Sequence, residues 1–315
     1  MKILFIDVVH EHLVSYLMRM DYQCHDGSEL SREEILLEIK QYDGVVIRSR
    51  IKLDKELLDA AKNLRFIARA GAGMENIDVE HAKMLGIQCF NAPEGNRDAV
   101  AEHAIGMLLT LFNHINTADI EVRKGLWLRE ENRGVELLGR TVGIIGYGNT
   151  GRALAKRLAG FGVLMYAHDK YEKDFCDDLV IETNLESICQ EAEVVSLHVP
   201  LTSATFHMVN DAFFEKLNNP IYLINTSRGS VVDTEALVRA LESGKVLGAC
   251  LDVLEFEKFN FEQIENEEIP PSLQYLIDSP KVILTPHVAG WTQESNAKIA
   301  HVLAEKIQMA YSEVH

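Results

Sequence analysis

Two kinds of hydrophobic pattern alternate along the chain. Compact apolar runs such as "KILFI", "GVVIRS", "LRFIARAG" and "GIQCF" have the continuity of buried strands. Between them "SREEILLEIKQ" and "DKELLDAAKN" repeat apolar residues at helical spacing. The pattern predicts an α/β unit to about residue 97. "RDAVAEHAIGMLLTLFNHINTADIEVRK" then reads as one long helix, with Asp98 near its start and Gly125 past its end. From Thr141 a second series follows: "TVGIIGYG", "VLMYAHD", "VVSLHVP", "IYLINTS", "VLGACLDV" and "KVILTPH" as strands, with helical segments between most of them. Nearly continuous apolar strands alternating with helices imply parallel sheets covered on both faces. The expected fold is α/β, with two lobes that each carry a mainly parallel sheet flanked by helices. The last helical pattern, "ESNAKIAHVLAEKIQMAYSEV", is expected to return to the first lobe, and the acidic "EQIENEEIPP" reads as a solvated loop.

Composition narrows the classes. A length of 315 residues is comfortable for two domains. A formal net charge of -17 disfavours nucleic acid and anionic membrane surfaces, and still allows a local basic pocket for a small anion. Cys24, Cys89, Cys176, Cys189 and Cys250 are odd in number, scattered and never spaced as C-x-x-C, which points to reduced thiols in a cytoplasmic protein. "MKILFID" is too short in apolar residues for a signal-peptide core, and no run approaches a membrane span.

"GIIGYGNTGRALAKRLAGFG" supplies candidate chemistry. Gly146, Gly148 and Gly151 stand in the order G-x-G-x-x-G, with Asn149 and Thr150 between the last two, after an apolar strand and at the opening of an amphipathic helix. That context allows a tight turn, close approach of a pyrophosphate, and close packing of helix on strand. The helix N-terminus then offers N–H groups to phosphates. Asp169 ends the next strand, where a carboxylate suits both ribose hydroxyls and repels a 2′-phosphate, so NAD is the expected cofactor.

In a doubly wound sheet, ligands bind outside the carboxyl ends of the strands. Arg228 follows "IYLINTS", the carboxylates of "DVLEFE" follow "VLGACL", and His287 follows "KVILTP". A histidine can exchange a proton with an alkoxide near neutral pH, a neighbouring carboxylate can orient it, and a guanidinium presents a planar fork to a carboxylate or carbonyl. These three groups beside a nicotinamide make a hydride-transfer site.

Seven segments, "RAGAGMENID", "NAPEGNRDAVAEH", "GIIGYGNTGRALAKRLAGFG", "HVPLT", "INTSRGSVVDTEAL", "GACLDVLEFE" and "LTPHVAG", resemble in sequence and order the D-isomer-specific 2-hydroxyacid dehydrogenases. The resemblance implies a discontinuous substrate-binding domain, residues 1–97 plus 290–315, with a Rossmann NAD-binding domain, residues 98–289, inserted in it. It implies that Arg228, Glu257 and His287 are catalytic, that Asp252 lies near the nicotinamide carboxamide, and that His198 and Pro200 lie against the cofactor. Gly71, Ala72 and Gly73 match a loop that binds the substrate carboxylate, a nest in physical terms, and Asn96 matches an asparagine near the site. Glu102 and His103 read as structural. Lys258 stands where many members have proline, which leaves Glu255 as a competitor of Glu257, and Trp291 is expected to pack in the core.

"IRSR" with "RAGAG" and "NAPEGN" is most similar to the phosphoglycerate dehydrogenase branch. Arg48 then matches a phosphate-contacting arginine, against the alternative of a salt bridge to Asp43 or Asp54, and Arg50 and Arg69 offer further cations. D-3-phosphoglycerate oxidation in serine synthesis is the leading expectation, with glyoxylate or hydroxypyruvate reduction and erythronate-4-phosphate oxidation open. The resemblance also implies a homodimer through the long helix and the "GLWLREENRGVELLGR" arm. An NAD(H)-sensing binding protein is the alternative from another class. The histidines show no metal-ligand spacing.

Overall fold

The computed structural model describes residues 1–175, 177–257 and 269–311. They divide into two compact units, one of residues 1–97 with the chain from 291 onward, the other of residues 98–257 with the stretch up to 290.

The first unit begins β1 (Lys2–Phe5), α1 (Glu11–Arg19), β2 (Gln23–Asp26), α2 (Arg32–Glu38), β3 (Gly44–Ile47), α3 (Lys55–Ala60), β4 (Phe66–Arg69), α4 (Val79–Met84) and β5 (Gln88–Phe90). All five strands are parallel, in the order β2-β1-β3-β4-β5. Local chemistry starts the helices: Ser31 and Glu34 form a capping box at α2, and Asp54 accepts from Leu57 N–H at α3. The edge strand β2, "QCHD", pairs only with β1 and is exposed or half-buried, so its sequence carries no hydrophobic signal.

The long helical pattern is two helices, not one. α5 (Pro93–Phe112) starts with Pro93, ahead of Asp98, because proline suits a first helical position. It stops where His114 turns left-handed at φ 50° and Val135 N–H takes the Phe112 carbonyl at 3.0 Å. α6 (Ile115–Arg123) follows, and Gly125, at φ 80°, stands past its end as expected.

The second unit continues with β6 (Thr141–Ile145), α7 (Asn149–Leu158), β7 (Leu164–His168), β8 (Ile181–Glu182), α8 (Leu185–Glu191), β9 (Val194–Leu197), α9 (Asp211–Glu215), β10 (Ile221–Asn225), α10 (Thr234–Glu242), β11 (Val246–Leu251), α11 (Pro271–Asp278) and β12 (Val282–Leu284). Its seven parallel strands run β12-β11-β10-β9-β6-β7-β8. This is a doubly wound sheet whose order reverses between β6 and β9, the place where such sheets bind ligands. Most of the acidic "EQIENEEIPP" stretch, residues 262–268, and Cys176 lie outside the described residues.

α12 (Gln293–Tyr311) closes the first unit. Its Ile299, Ala300, Leu303, Ala304 and Ile307 share one buried cluster with Ile3, Phe5, Leu13 and Leu17. Gly95 permits this: a Cβ there would lie 2.7 Å from the Ile299 Cα. No helix among the described residues is long and apolar enough to cross a membrane.

Candidate active site

The three glycines after β6 serve different purposes. Gly146 has φ 96°, and a Cβ on it would lie 2.4 Å from the His198 carbonyl oxygen, so the turn must be glycine to sit against the end of β9. A Cβ on Gly151 would lie 2.1 Å from the Gly146 oxygen, which fixes α7 against its own turn. Gly148 caps α7 without a side-chain cap, and nothing stands within 4 Å of where its Cβ would be. Open space therefore faces a helix N-terminus with its N–H donors and positive dipole end.

At the end of β7, Asp169 accepts from the backbone N–H groups of Tyr147 at 2.8 Å, Tyr171 at 2.8 Å and Glu172 at 3.0 Å. Burial alone pushes this carboxyl up, but the three N–H donors and nearby His168 outweigh it and hold it below the usual carboxylate range. Thr226 Oγ1, at the end of β10, is buried with no hydrogen-bond partner among the described residues. An open cradle at a helix N-terminus, an ionised carboxylate and an orphaned hydroxyl on one sheet edge fit a dinucleotide such as NAD.

His198 donates its N–H to the Ile145 carbonyl at 2.7 Å, and its Nε2 lies 2.8 Å from Ser196 Oγ. Burial pushes its pKa down to about 4, so the ring is neutral at pH 7 and suited to hydrogen bonding and packing. Pro200 beside it is exposed.

Three adjacent strand ends carry the remaining groups. His287 follows β12 in a left-handed conformation, φ 54°, uncommon for a residue with a side chain. Its N–H donates to the carbonyls of Asp252 at 2.8 Å and Thr285 at 3.0 Å, which holds that conformation. Its Nδ1 lies 2.7 Å from Glu257 Oε2, and the other Glu257 oxygen accepts from Leu254 N–H. Asp252, 1% exposed, accepts from Thr285 Oγ1 at 2.6 Å, Val288 N–H at 2.9 Å and Ala289 N–H at 2.9 Å, so its carboxylate is turned into the loop that bears His287. Arg228 follows β10 in extended backbone, and its Nη1 donates to the Ser227 carbonyl at 2.6 Å.

Glu255 is engaged elsewhere. It binds His207 Nε2 at 2.5 Å and accepts from Thr234 Oγ1 at 2.7 Å and Thr234 N–H at 3.1 Å, tying three segments together at the start of α10. Of the two glutamates, Glu257 is the one brought to His287. His103 meets Thr285 Oγ1 at 3.0 Å, and Glu102 pairs with Arg157 at 3.0 Å.

In the first unit, the Gly71–Gly73 loop is fixed by two acceptors: the Gly71 carbonyl takes Ala92 N–H at 2.8 Å and the Ala72 carbonyl takes Asn91 Nδ2 at 2.6 Å. Arg69 folds over this loop, since a Cβ on Gly71 would lie 1.5 Å from its Nη1. Asn96 Oδ1 is buried without a hydrogen-bond partner among the described residues. Arg50 is a structural brace, donating to the carbonyls of Ile6, Gly27 and Leu30. Asp54 is bound by Arg32 at 2.8 Å, and Asp43 by Lys2 N–H at 2.7 Å. Arg48 carries its guanidinium carbon 3.9 Å from the centroid of the Trp291 ring. Trp291 is 51% exposed and does not pack in the core as its sequence context suggests.

The model of the D-isomer specific 2-hydroxyacid dehydrogenase NAD binding domain matches residues 105–289. D-3-phosphoglycerate dehydrogenase of Archaeoglobus fulgidus is 34% identical over 310 residues, which are 98% of this chain and 56% of that protein. The chain thus spans about half the length of that relative. Hydroxypyruvate reductase of Thermotoga maritima is 35% identical over 305 residues, 96% of this chain and 95% of that protein. Among solved structures, D-lactate dehydrogenase from Aquifex aeolicus, complexed with NAD and lactic acid, superposes with a TM-score of 0.82 at 29% identity, covering 99% of this chain and 96% of that one.

Proposed function

The chain belongs to the D-isomer specific 2-hydroxyacid dehydrogenase family and is an NAD-dependent oxidoreductase, and from that premise we propose that it interconverts a small D-2-hydroxy acid and its 2-oxo acid through Arg228, Glu257 and His287. Bound NAD supplies the hydride acceptor, and NADH the donor. The glycine turn, Asp169, His198 and Thr226 would hold it. His287 Nε2 gives a proton to the alkoxide oxygen formed at C2 in reduction and takes it back in oxidation. The observation that carries this role is the 2.7 Å bond from His287 Nδ1 to Glu257, which orients the ring and places a carboxylate beside it. Arg228 binds the carboxylate and polarises the carbonyl of the substrate. In the first unit, the N–H groups of Gly71–Gly73 offer an anion cradle of their own.

The leading specific substrate is the pair D-3-phosphoglycerate and 3-phosphohydroxypyruvate, as in serine synthesis. Supporting it are the sequence match of Arg48 to that branch and the guanidinium of Arg48 laid on Trp291. Relatives of nearly equal identity act in name on phosphorylated and unphosphorylated acids, so kinetics must choose. With NADH, kcat/KM is expected to be at least about tenfold higher for 3-phosphohydroxypyruvate than for glyoxylate or hydroxypyruvate, the worth of one good charged contact. A preference for the unphosphorylated acids would move the protein to another branch, and NADH binding with no turnover would favour a sensing protein.

We also place the protein in the cytoplasm as a homodimer. The described cysteines are free thiols. Ile115, Ile120, Val122, Leu126 and Trp127 are exposed along α6 and the arm after it, apolar side chains of the kind that a dimer contact covers.

A further inference from the structure

We propose that Glu255 is a positioning residue for the reaction: by gripping His207 and the start of α10, it fixes the turn that carries Glu257 and so holds Glu257 against His287. This rests on the reading of the chain as a 2-hydroxyacid dehydrogenase. The two glutamates lie two residues apart on one turn after β11, and each grips a histidine in a left-handed conformation. Glu255 Oε1 lies 2.5 Å from Nε2 of His207, φ 48°, and Glu257 Oε2 lies 2.7 Å from Nδ1 of His287, φ 54°. Such backbone is uncommon outside glycine and persists where its surroundings hold it.

The stability of α10 does not account for Glu255. That helix already has its cap, Asp233, which accepts from Ala236 N–H at 3.0 Å, and a further acidic residue, Glu235, in its first turn. Glu255 brings a carboxylate from the turn after β11 as well: Oε2 accepts from Thr234 Oγ1 at 2.7 Å and from Thr234 N–H at 3.1 Å, and Thr234 is buried. The consequence lies at the other end of the side chain. The backbone closure of the turn is long, Glu257 N–H reaching the Leu254 carbonyl at 3.3 Å, and Leu254 N–H donates to the Glu257 carboxylate itself. Gly229 lies against the same turn, where a Cβ would stand 2.5 Å from Glu255 N, so backbone rests on backbone with no side chain between. A turn closed in this way is held in place by the grip of Glu255, and a displacement of about 1 Å in a catalytic group can cost on the order of a hundredfold in rate. An exposed ion pair would matter far less, but both oxygens of Glu255 are engaged and three segments meet on them.

Kinetics with the full chain test the assignment, using NADH and whichever of 3-phosphohydroxypyruvate, hydroxypyruvate and glyoxylate the native chain reduces fastest. Glu255→Ala is expected to lower kcat about tenfold, with KM and NADH affinity within about twofold. Glu255→Gln recovers most of the loss. Its oxygen still accepts from Thr234, and its amide donates to His207 Nε2 once the ring proton sits on Nδ1, where Asp233 Oδ2 stands 4.0 Å away. Because Glu255 acts through Glu257, the same alanine change in a Glu257→Ala background costs less than about twofold. An equal loss in both backgrounds, or full kcat in Glu255→Ala, would overturn the proposal. Should Glu255→Ala fail to fold, Thr234→Val removes only the hydroxyl donor, with a loss of about threefold that again disappears without Glu257. A readout that needs no turnover is nuclear magnetic resonance of the His287 ring nitrogens in isotope-labelled protein, assigned by their absence from His287→Ala. The carboxylate 2.7 Å from Nδ1 keeps the proton on that nitrogen, and Glu255→Ala is expected to spread it over both. If no 2-oxo acid is reduced, the dehydrogenase reading fails separately, while ring shifts identical in the native chain and Glu255→Ala would overturn the positioning role.

Discussion

Replacing His287 with alanine is expected to lower kcat by about a thousandfold and to leave NADH affinity within about twofold, because general acid–base catalysis contributes on the order of 10²–10⁴ and the proposed dinucleotide cradle does not include the ring. Several contacts combine to place this one imidazole. It adopts φ 54°, is held there by the carbonyls of Asp252 and Thr285, and is bonded through Nδ1 to Glu257. Glu257→Gln keeps a hydrogen-bonding group at the ring but removes its charge, and is expected to cost about ten- to a hundredfold in kcat. Steady-state rates together with NADH fluorescence titration separate the two effects. A His287→Ala protein with full turnover would remove the proton-transfer assignment.

Replacing Arg228 with glutamine is expected to lower kcat/KM by about a thousandfold, divided between a higher KM and a lower kcat, since the proposed role of the guanidinium is to bind both the carboxylate and the developing alkoxide. Lysine should recover little, because a single ammonium cannot reproduce the planar fork. The position is built into the backbone. A Cβ on neighbouring Gly229 would lie 2.0 Å from both the carbonyl carbon and oxygen of Leu254, so the turn after Arg228 packs directly on the segment that leads to Glu257. Rates measured over a range of 2-oxo acid concentrations check this. An Arg228→Lys protein matching the native enzyme would show that charge alone suffices.

The parts of the account legible in the sequence are those written locally. The G-x-G-x-x-G turn, Asp169 at the end of its strand and the parallel apolar runs each sit in one short window, and the strand-end positions of Arg228 and His287 follow from them. Several features are set by partners distant in sequence and leave no local mark. The resemblance favours Glu257 with Glu255 as competitor, since both follow the same strand in near-identical contexts, and the fold separates them by partner: Glu257 meets His287 while Glu255 meets His207 and Thr234. Arg48 and Trp291 likewise meet across most of the chain's length. The break at His114 was hidden because the apolar spacing continues through it, and β2 because an exposed edge strand needs no apolar residues. Arg50 offered the same charge as Arg48 two positions away, yet its guanidinium is engaged by backbone carbonyls.

The central claim is hydride transfer to C2 of a 2-oxo acid, and the most direct measurement follows that atom. The purified protein is incubated with NADH stereospecifically deuterated at the transferring position of C4 and with 3-phosphohydroxypyruvate, hydroxypyruvate or glyoxylate, and the product is analysed by mass and chirality. The account predicts one deuterium on C2 of the hydroxy acid, in the D configuration wherever C2 is a stereocentre in the unlabelled product. Deuterium retained on NADH that binds but is never consumed, with every acid recovered unchanged, would contradict it.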